Sequence, residues 1–510
     1  MSSDVVFPVM PFADAGRPSM GVSLIAAHAK QAGYSTSVLY FNLALARRMG
    51  KTLYQQIANG YAPDILVGEW FFADMVYGDE IPDADTYIRD IFPRHVHGNE
   101  LIDQLLELRR QREEYLDQCC REILAESPRI VGFTTTFHQT CACLAVAQRL
   151  KQNPNAPWIV FGGANCEGAM GLQLIRSFDC IDFVCSGEAD VSFPALLGQL
   201  LGGDRTAPIP GVLRQGEAEE VTQAEPVKDM DALPFPDFDN YFATLADSPL
   251  ANEIQGQLVF ETSRGCWWGD KHHCTFCGLN GHTMAFRSKK PERALEEIEY
   301  LAARHSTKNL GCVDNILDMR YVDSLFPQLA ERGLELDIFY EVKANLRYEQ
   351  LTKMRDGGLT EIQPGIESFS NEVLKLMDKG CTAAHNVQLL RWCQELGINV
   401  AWNILAGFPG ESPSEYEATA RLVPQVTHLA PPCSCSLVRL DRFSPFHLQA
   451  DKYGFKRVRP ARAYFYVFPL GRRELEKLAY YFDFDYADER DPNEYLSPVI
   501  REVQLWIDSH

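Results

Sequence analysis

The sequence predicts an α/β protein: a Rossmann-like, doubly wound sheet, then a partial parallel β/α barrel, then a small helical C-terminal region. Three observations predict it. Short apolar runs alternate with helical patterns through the first 205 residues, and the same alternation restarts at LVFET (258–262). Between the two series, 206–245 is polar, acidic and proline-containing, the composition of a linker. A chain of 510 residues is also too long for one ordinary core.

The elements follow in order. VVFPVM (5–10) is a buried strand, PFADAGRPSMG (11–21) a loop, VSLIAAHAKQAGY (22–34) a helix ending at glycine, and STSVLYFN (35–42) the next strand. An insertion spans 43–127. Its first part, GEWFFADMVYGDE, is aromatic and acidic and reads as packing; its second, from Asn99 to Ser127, reads as one long amphipathic helix. RIVGFTTTFHQT (129–140), WIVFGGANCEG (158–168) and CIDFVCSGEAD (180–190) are strands with small or polar ends. In an open α/β sheet ligands bind beyond such carboxyl ends, and three in register point to a crevice for something large and flat, or for phosphate. Glycines in tight turns are the plainer reading of any one alone. No G-x-G-x-x-G opens the first βα turn and no G-x-x-x-x-G-K-[ST] occurs, which disfavours dinucleotide and P-loop chemistry.

The second series, 246–445, continues through NLGCVDNI (309–316), LELDIFYEV (334–342), LTEIQPGIES (359–368), INVAWNILAGFPGE (398–411) and SCSLVRLDRFSP (434–445). Parallel barrels do their chemistry at strand C-termini. Those ends here are polar or glycine-rich, and by this register Asp314, Tyr340 and Lys343 face the mouth and orient substrate. Residues 446–510 read as helical and aromatic.

Composition excludes several roles. The net charge of −21 argues against nucleic acid and anionic membrane surfaces. No run approaches the roughly 18 to 20 apolar residues of a membrane helix, and the first residues lack the basic region of a signal peptide. Fifteen cysteines in so long a chain suit reduced thiols in the cytoplasm better than a disulfide scaffold.

The stretch that organises the barrel is ETSRGCWWGDKHHCTFCGLNG (261–281), with Cys266, Cys274 and Cys277 spaced C-x7-C-x2-C on the loop leaving the first barrel strand. Three thiolates are soft ligands for iron–sulfur or zinc. Zinc would take His272 or His273 as fourth ligand, giving a stabilised peptide-binding scaffold, but no second Cys/His pair follows as in a zinc ribbon.

With this loop, Phe276 before the last cysteine, and GIES and GFPGE in order, the sequence resembles the radical SAM superfamily, although that family usually shows C-x3-C-x2-C. The resemblance implies that Cys266, Cys274 and Cys277 ligate a [4Fe–4S] cluster whose open iron is chelated by S-adenosylmethionine. It implies that Phe276, Gly278 and Glu367 contact S-adenosylmethionine, Glu367 taking the ammonium, with Ser368, Asn403 and Arg439 around the carboxylate and ribose. The first domain resembles cobalamin-binding domains lacking D-x-H-x-x-G; this implies cobalamin without a histidine below cobalt, lined by Thr134, Thr135, Thr136, Gly162, Gly163, Asn165 and Glu188. RGCWWGDKHHCTFCGLNG, GGANCEG and IDFVCSGEAD are similar to radical SAM proteins of ribosomal-peptide maturation. That likeness implies a radical C-methyltransferase acting on a leader-bearing peptide precursor, with an external electron donor such as flavodoxin or ferredoxin. The alternative it leaves open is a non-methylating rearrangement or oxidation.

Overall fold

The computed structural model describes residues 3–92, 99–203, 207–281 and 283–510. The chain forms two compact units, one of Met1–Lys228, Leu233–Gly256 and Pro460–Tyr481, the other of Asp229–Ala232, Gln257–Arg459 and Phe482–His510. The expected boundary at 205/206 lies outside the described residues.

In the first unit, β1 (Val5–Val9), β2 (Thr36–Tyr40), β3 (Ile130–Thr134), β4 (Trp158–Gly162), β5 (Phe183–Cys185) and β6 (Val212–Arg214) make one sheet, ordered β2-β1-β3-β4-β5-β6. The first five are parallel, as the βα alternation predicts; β6 is antiparallel. This edge strand sits inside the stretch read as linker, because three residues carry no pattern that composition reveals.

The insertion packs through its aromatics. Trp70, Phe71 and Phe72, on the helix Val67–Tyr77, are fully buried, and Trp70 stacks on Tyr87 with centroids 4.4 Å apart. The long helix expected from Asn99 breaks at Gln111 into Asn99–Arg110 and Arg112–Ala125. Arg109 and Arg112, on either side of the break, both reach the Asp74 carboxylate, at 2.8 and 2.6 Å.

Glu69 binds the insertion to the helix that follows β3. Its buried carboxylate accepts the backbone N–H groups of Thr140 (2.9 Å) and Cys141 (2.6 Å), two orphan donors at the start of the helix Thr140–Lys151.

In the second unit, β7 (Leu258–Phe260), β8 (Asn309–Cys312), β9 (Asp337–Glu341), β10 (Leu359–Gln363) and β11 (Asn399–Val400) run parallel in sequence order. β12 (Asn403–Ala406) and β13 (Ser434–Leu437) form a parallel pair, joined to the rest by a backbone bridge between Ile404 and Glu367. The expected partial barrel is therefore present, but the strand expected across 398–411 is two short ones. Between them Trp402 drops its indole into the core and donates Nε1–H to the Ala430 carbonyl. Trp506, on the final helix Asn493–Ser509, packs 5.9 Å from Trp402 and donates to the Leu429 carbonyl. The C-terminal region is not only helical: it also holds the strands Phe455–Pro460 and Tyr481–Tyr486. Among the described residues no helix is long and apolar enough to cross a membrane.

Two outcomes are expected. Trp506→Ala should destabilise the barrel unit by about 3–5 kcal/mol, read as a lower denaturant midpoint by circular dichroism. Burial pushes the Glu69 carboxyl from 4.5 to about 7, against hydrogen bonds that pull it down, so the folded state holds a proton the unfolded chain releases. Stability of the first unit should fall as pH rises from 4.5 to about 7 and then level off, a change of up to about 3 kcal/mol. In Glu69→Gln that slope should vanish from urea titrations across the same pH range.

Candidate active site

Asp314 shapes the site from below. At the end of β8 its carboxylate, 1% exposed, accepts Thr262 N–H (2.8 Å), the Thr262 hydroxyl (2.5 Å) and the Ser263 hydroxyl (2.7 Å). Burial raises its pKa while these donors oppose the rise. Thr262 and Ser263 open the cysteine loop, so one carboxylate fixes where that loop leaves the barrel. Tyr340 lies beside it, fully buried, its hydroxyl 3.1 Å from Thr262 Oγ1. Neither residue faces the mouth, contrary to the register read from sequence. On β9 the pleat turns Tyr340 into the core and Glu341 into the cavity.

That cavity, about 220 Å³, is lined by Cys266, Cys274 and Cys277 together with Phe276, Trp268, Glu341, Lys343, Glu367, Lys379 and Cys381. The three cysteines, Phe276, Lys343 and Glu367 are thus brought together as expected. Gly278 is buried behind the loop. Ser368, Asn403 and Arg439 are not in the wall. Ser368 is buried and accepts Ser370 N–H (3.0 Å); Asn403 Oδ1 accepts the Ser434 hydroxyl (2.9 Å); Arg439 turns outward and pairs with Asp441 (3.2 Å).

The seven-residue gap, WWGDKHH, is what anchors the loop. Trp267 Nε1 donates to the Leu317 carbonyl (3.0 Å) and Trp268 Nε1 to the Asp378 carbonyl (2.8 Å). Further along, Thr275 donates its N–H to Met377 O and its hydroxyl to Leu376 O, both at 3.0 Å. Gly380, at φ +61°, fits where an added Cβ would lie 2.1 Å from the Trp268 ring. The segment 376–381 is thereby fastened along the cysteine loop, and it carries Lys379 and Cys381 into the cavity.

Charge is arranged around the thiols. Lys343 Nζ sits 2.7 Å from the Trp268 ring centroid, and burial lowers its pKa to about 8. Lys379 Nζ lies 3.3 Å from Glu367 Oε1. Burial pushes Glu341 up to about 7, with Lys379 opposing. Burial likewise raises Cys274, and Cys277 to about 12, so these are thiols until a metal displaces their protons. Among the described residues no three His, Cys, Asp or Glu side chains are gathered tightly enough to hold an ion in the arrangement shown. The donor set itself fits an iron–sulfur cluster: three cysteines on one wall, with two ammonium groups to balance thiolate charge. It fits tetrahedral zinc less well. His272 is stacked on Trp268 at 4.1 Å, and His273 Nε2 is 2.9 Å from the Cys277 carbonyl oxygen.

In the first unit the strand ends also gather on one edge. Thr135 is buried, its hydroxyl donating to Gly162 O (3.0 Å), one residue beyond Thr134 at the end of β3. Thr136 N–H donates to Gln139 Oε1 (3.1 Å), Asn165 Nδ2 to Thr140 Oγ1 (2.9 Å), and Glu188 accepts Val227 N–H (2.7 Å). Gly163 (φ +93°) is exposed where a Cβ would lie 2.7 Å from Thr135 O. Phe137 stands exposed beside it, its ring 5.8 Å from Tyr480. The enclosed cavity here is about 20 Å³, enough for a single water. Tyr464, Phe468, Tyr480 and Tyr481 line it together with Phe137 and Asn165.

Glu341, Lys379, Cys381 and the Trp268 anchor were not legible from residue pattern alone. Glu341 needed the strand register, Lys379 and Cys381 lie in a segment that no motif covers, and Trp268, although inside the cysteine loop, carries no sign in the sequence of its hydrogen-bond partner. Asp314→Ala should cost about 3 kcal/mol or more, because three buried donors lose their acceptor; the denaturant midpoint of the purified protein checks it.

Residues 260–423 match the radical SAM superfamily. The chain is 26% identical over 335 residues to an uncharacterized methyltransferase of Pyrococcus horikoshii, covering 64% of this chain and 70% of that protein. Among solved structures it is similar to the cobalamin-dependent S-adenosylmethionine radical enzyme OxsB with aqua-cobalamin and S-adenosylmethionine bound. There the TM-score is 0.67 at 13% identity, over 100% of this chain and 67% of that one. It is also similar to the radical S-adenosylmethionine methyltransferase TsrM of Kitasatospora setae, with cobalamin and a [4Fe–4S] cluster bound. There the TM-score is 0.58 at 15% identity, over 89% of this chain and 79% of that one. Residues 260–423 are a radical SAM domain, in a chain with the fold of cobalamin-dependent S-adenosylmethionine radical enzymes.

Proposed function

We propose that this protein is a cobalamin- and S-adenosylmethionine-dependent methyltransferase that acts on an unactivated carbon of a ribosomally made peptide. The observation that carries the reading is the convergence of Cys266, Cys274 and Cys277 on one cavity with Glu367 and two lysines. When bound, a [4Fe–4S] cluster supplies the electron for reductive cleavage of S-adenosylmethionine, and cobalamin supplies a transferable methyl group.

The chain's own residues do the rest. The three cysteines would hold the cluster. Lys343 and Lys379 offset its thiolate charge, and Glu367 offers a carboxylate for the ligand's ammonium. Trp268 and Phe276 supply apolar wall, which keeps water from a reactive site. Gly163, Thr136 and Asn165 would form the surface on which cobalamin lies. The peptide substrate rests on the motif likeness in the cysteine loop and the strand ends. With it come a leader segment, an external one-electron donor of flavodoxin or ferredoxin type, and a reducing cytoplasm, which suits fifteen free thiols.

A second reading keeps both cofactors and replaces methyl transfer by another carbon-radical reaction. It is supported by the likeness to OxsB, a cobalamin-dependent S-adenosylmethionine radical enzyme.

Anaerobic reconstitution with iron and cobalamin should give about four irons and one cobalt per chain, the content of one cluster and one corrinoid. Cys274→Ala should lose most of the iron and all cleavage of S-adenosylmethionine under a strong reductant. Wild-type protein that cleaves no S-adenosylmethionine when fully loaded sinks the proposal. A peptide product heavier by one CH2 supports methylation, and one lighter by hydrogen supports the second reading.

A further inference from the structure

Charge is uneven along the barrel unit. The whole sequence carries −21, yet residues 442–459 hold five basic residues, Arg442, Lys452, Lys456, Arg457 and Arg459, against one acid, Asp451. Arg457 and Arg459 are paired with Asp485, on the neighbouring strand Tyr481–Tyr486. Lys452 and Lys456 are held differently. Lys452 Nζ donates to Gln449 Oε1 (2.8 Å) and Lys456 Nζ to the Ala487 carbonyl (3.0 Å), so both exposed ammonium groups rest on neutral acceptors. Leu448, next in sequence to Gln449, is 67% exposed. An exposed leucine by itself means little; the position of this one gives it meaning.

This surface stands directly on the cysteine loop. Phe446, on the short helix Pro445–Leu448, is 2% exposed and donates its N–H to the carbonyl of Thr275, between Cys274 and Phe276 (2.9 Å). One hydrogen bond is therefore the only break in a covalent path from Cys274 to Leu448. Rings are packed alongside that path. Phe446 lies 5.9 Å from Phe408, which lies 5.7 Å from Phe276 of the cavity wall. On its other side Phe446 lies 4.9 Å from Tyr453, over whose ring sits Lys452 Nζ at 5.3 Å. Bonded and closely packed atoms carry a single electron better than a gap filled with solvent.

We infer that Leu448, Lys452 and Lys456 form a docking surface for a small acidic one-electron carrier protein, whose electron enters the cysteine loop through Phe446 and Thr275. The inference rests on the proposed function, which needs one electron for each S-adenosylmethionine cleaved, and it says where that electron enters. The carrier is oxidised by one electron and the bound cluster is reduced by one; no covalent bond forms or breaks in the transfer. Charge selects the place. A chain of −21 repels an acidic protein over most of its surface, so the encounter is decided where lysines stand without an acid against them. A carrier also has to leave after each transfer, which suits a small contact of one apolar side chain rimmed by charge. The rival occupant is an acidic segment of the peptide substrate. The carrier is favoured because the surface touches the cysteine loop through Phe446, while none of its three residues lines the cavity that a substrate must reach.

The test is the rate at which the cluster of the reconstituted holoprotein is reduced, followed by anaerobic freeze-quench EPR. The carrier probes are a reduced flavodoxin and a reduced plant-type ferredoxin; the reference is reduced methyl viologen, a small cation. In Lys452→Glu/Lys456→Glu, reduction by at least one carrier should slow about tenfold or more at low salt, while reduction by viologen does not slow. Added salt should lower the wild-type carrier rate more steeply than the variant's. Lys452→Arg/Lys456→Arg should keep most of the carrier rate, and Leu448→Ser should lower it with the viologen rate unchanged. A carrier rate undiminished by charge reversal overturns the assignment and leaves the surface to an acidic peptide. Equal slowing with carrier and viologen marks damage to the loop and also overturns it, as does a wild-type cluster reduced by viologen but by neither carrier. In holoprotein that cleaves S-adenosylmethionine with viologen, these outcomes sink the assignment alone. Wild-type holoprotein whose reduced cluster cleaves none overturns the proposed function, and the assignment with it.

Discussion

A buried carboxylate with three donors fixes the geometry on which the cysteine loop depends. Asp314 holds Thr262 and Ser263, shortly beyond β7, against the end of β8. Burying a carboxylate is unfavourable unless it is fully hydrogen-bonded, and this one is. The loop that follows is long and lacks regular structure, so its path is set by such ties: Asp314 at its root, the two indole N–H groups in its middle and Thr275 near its end. A similar device stands at the GFPGE turn. The buried Glu411 accepts the N–H groups of Gly407 (2.7 Å) and Phe408 (2.8 Å) and the hydroxyl of Tyr416 (2.5 Å). In both places a buried acid is an internal brace.

This explains what could be read in the chain and what could not. The parallel strands of both units were legible because each is a short apolar run closed by glycine or polar residues, and sheet order follows from βα alternation. The meeting of Cys266, Cys274 and Cys277 on one cavity was legible because all three sit close together on one strand-exit loop. The direction of side chains at strand ends was not. Alternation determines that Tyr340 and Glu341 face opposite ways, but not which of them faces inward. Asp314 ends its strand as a cavity residue would, yet turns to serve the neighbouring backbone. The broken strand at Trp402 was hidden too, because a buried tryptophan and a strand residue are equally apolar.

The seven-residue gap between the first two cysteines is a further case. Read as a departure from a shorter spacing, it put the loop's shape in question. In the folded chain it adds two tryptophans whose polar edges reach separate carbonyls and whose faces carry a lysine and a histidine. Aromatic rings with one hydrogen-bonding edge suit this task, since they bury area and fix orientation with few rotatable bonds. Extra length here gives attachment, not slack.

The route of the chain between its two units carries a practical consequence. Residues 460–481 belong to the first unit, although they follow the whole barrel, and residues 482–510 then rejoin the second. A shortened protein beginning near residue 257 would keep Tyr464, Val467 and Phe468, which are buried within the first unit, and strip them of that cover. One ending near residue 256 would lack the same side chains from its core. Neither half is therefore a separable cassette. Dissecting the two chemistries calls for point substitutions or for excising 460–481 with a replacement linker, not for cutting the gene in two.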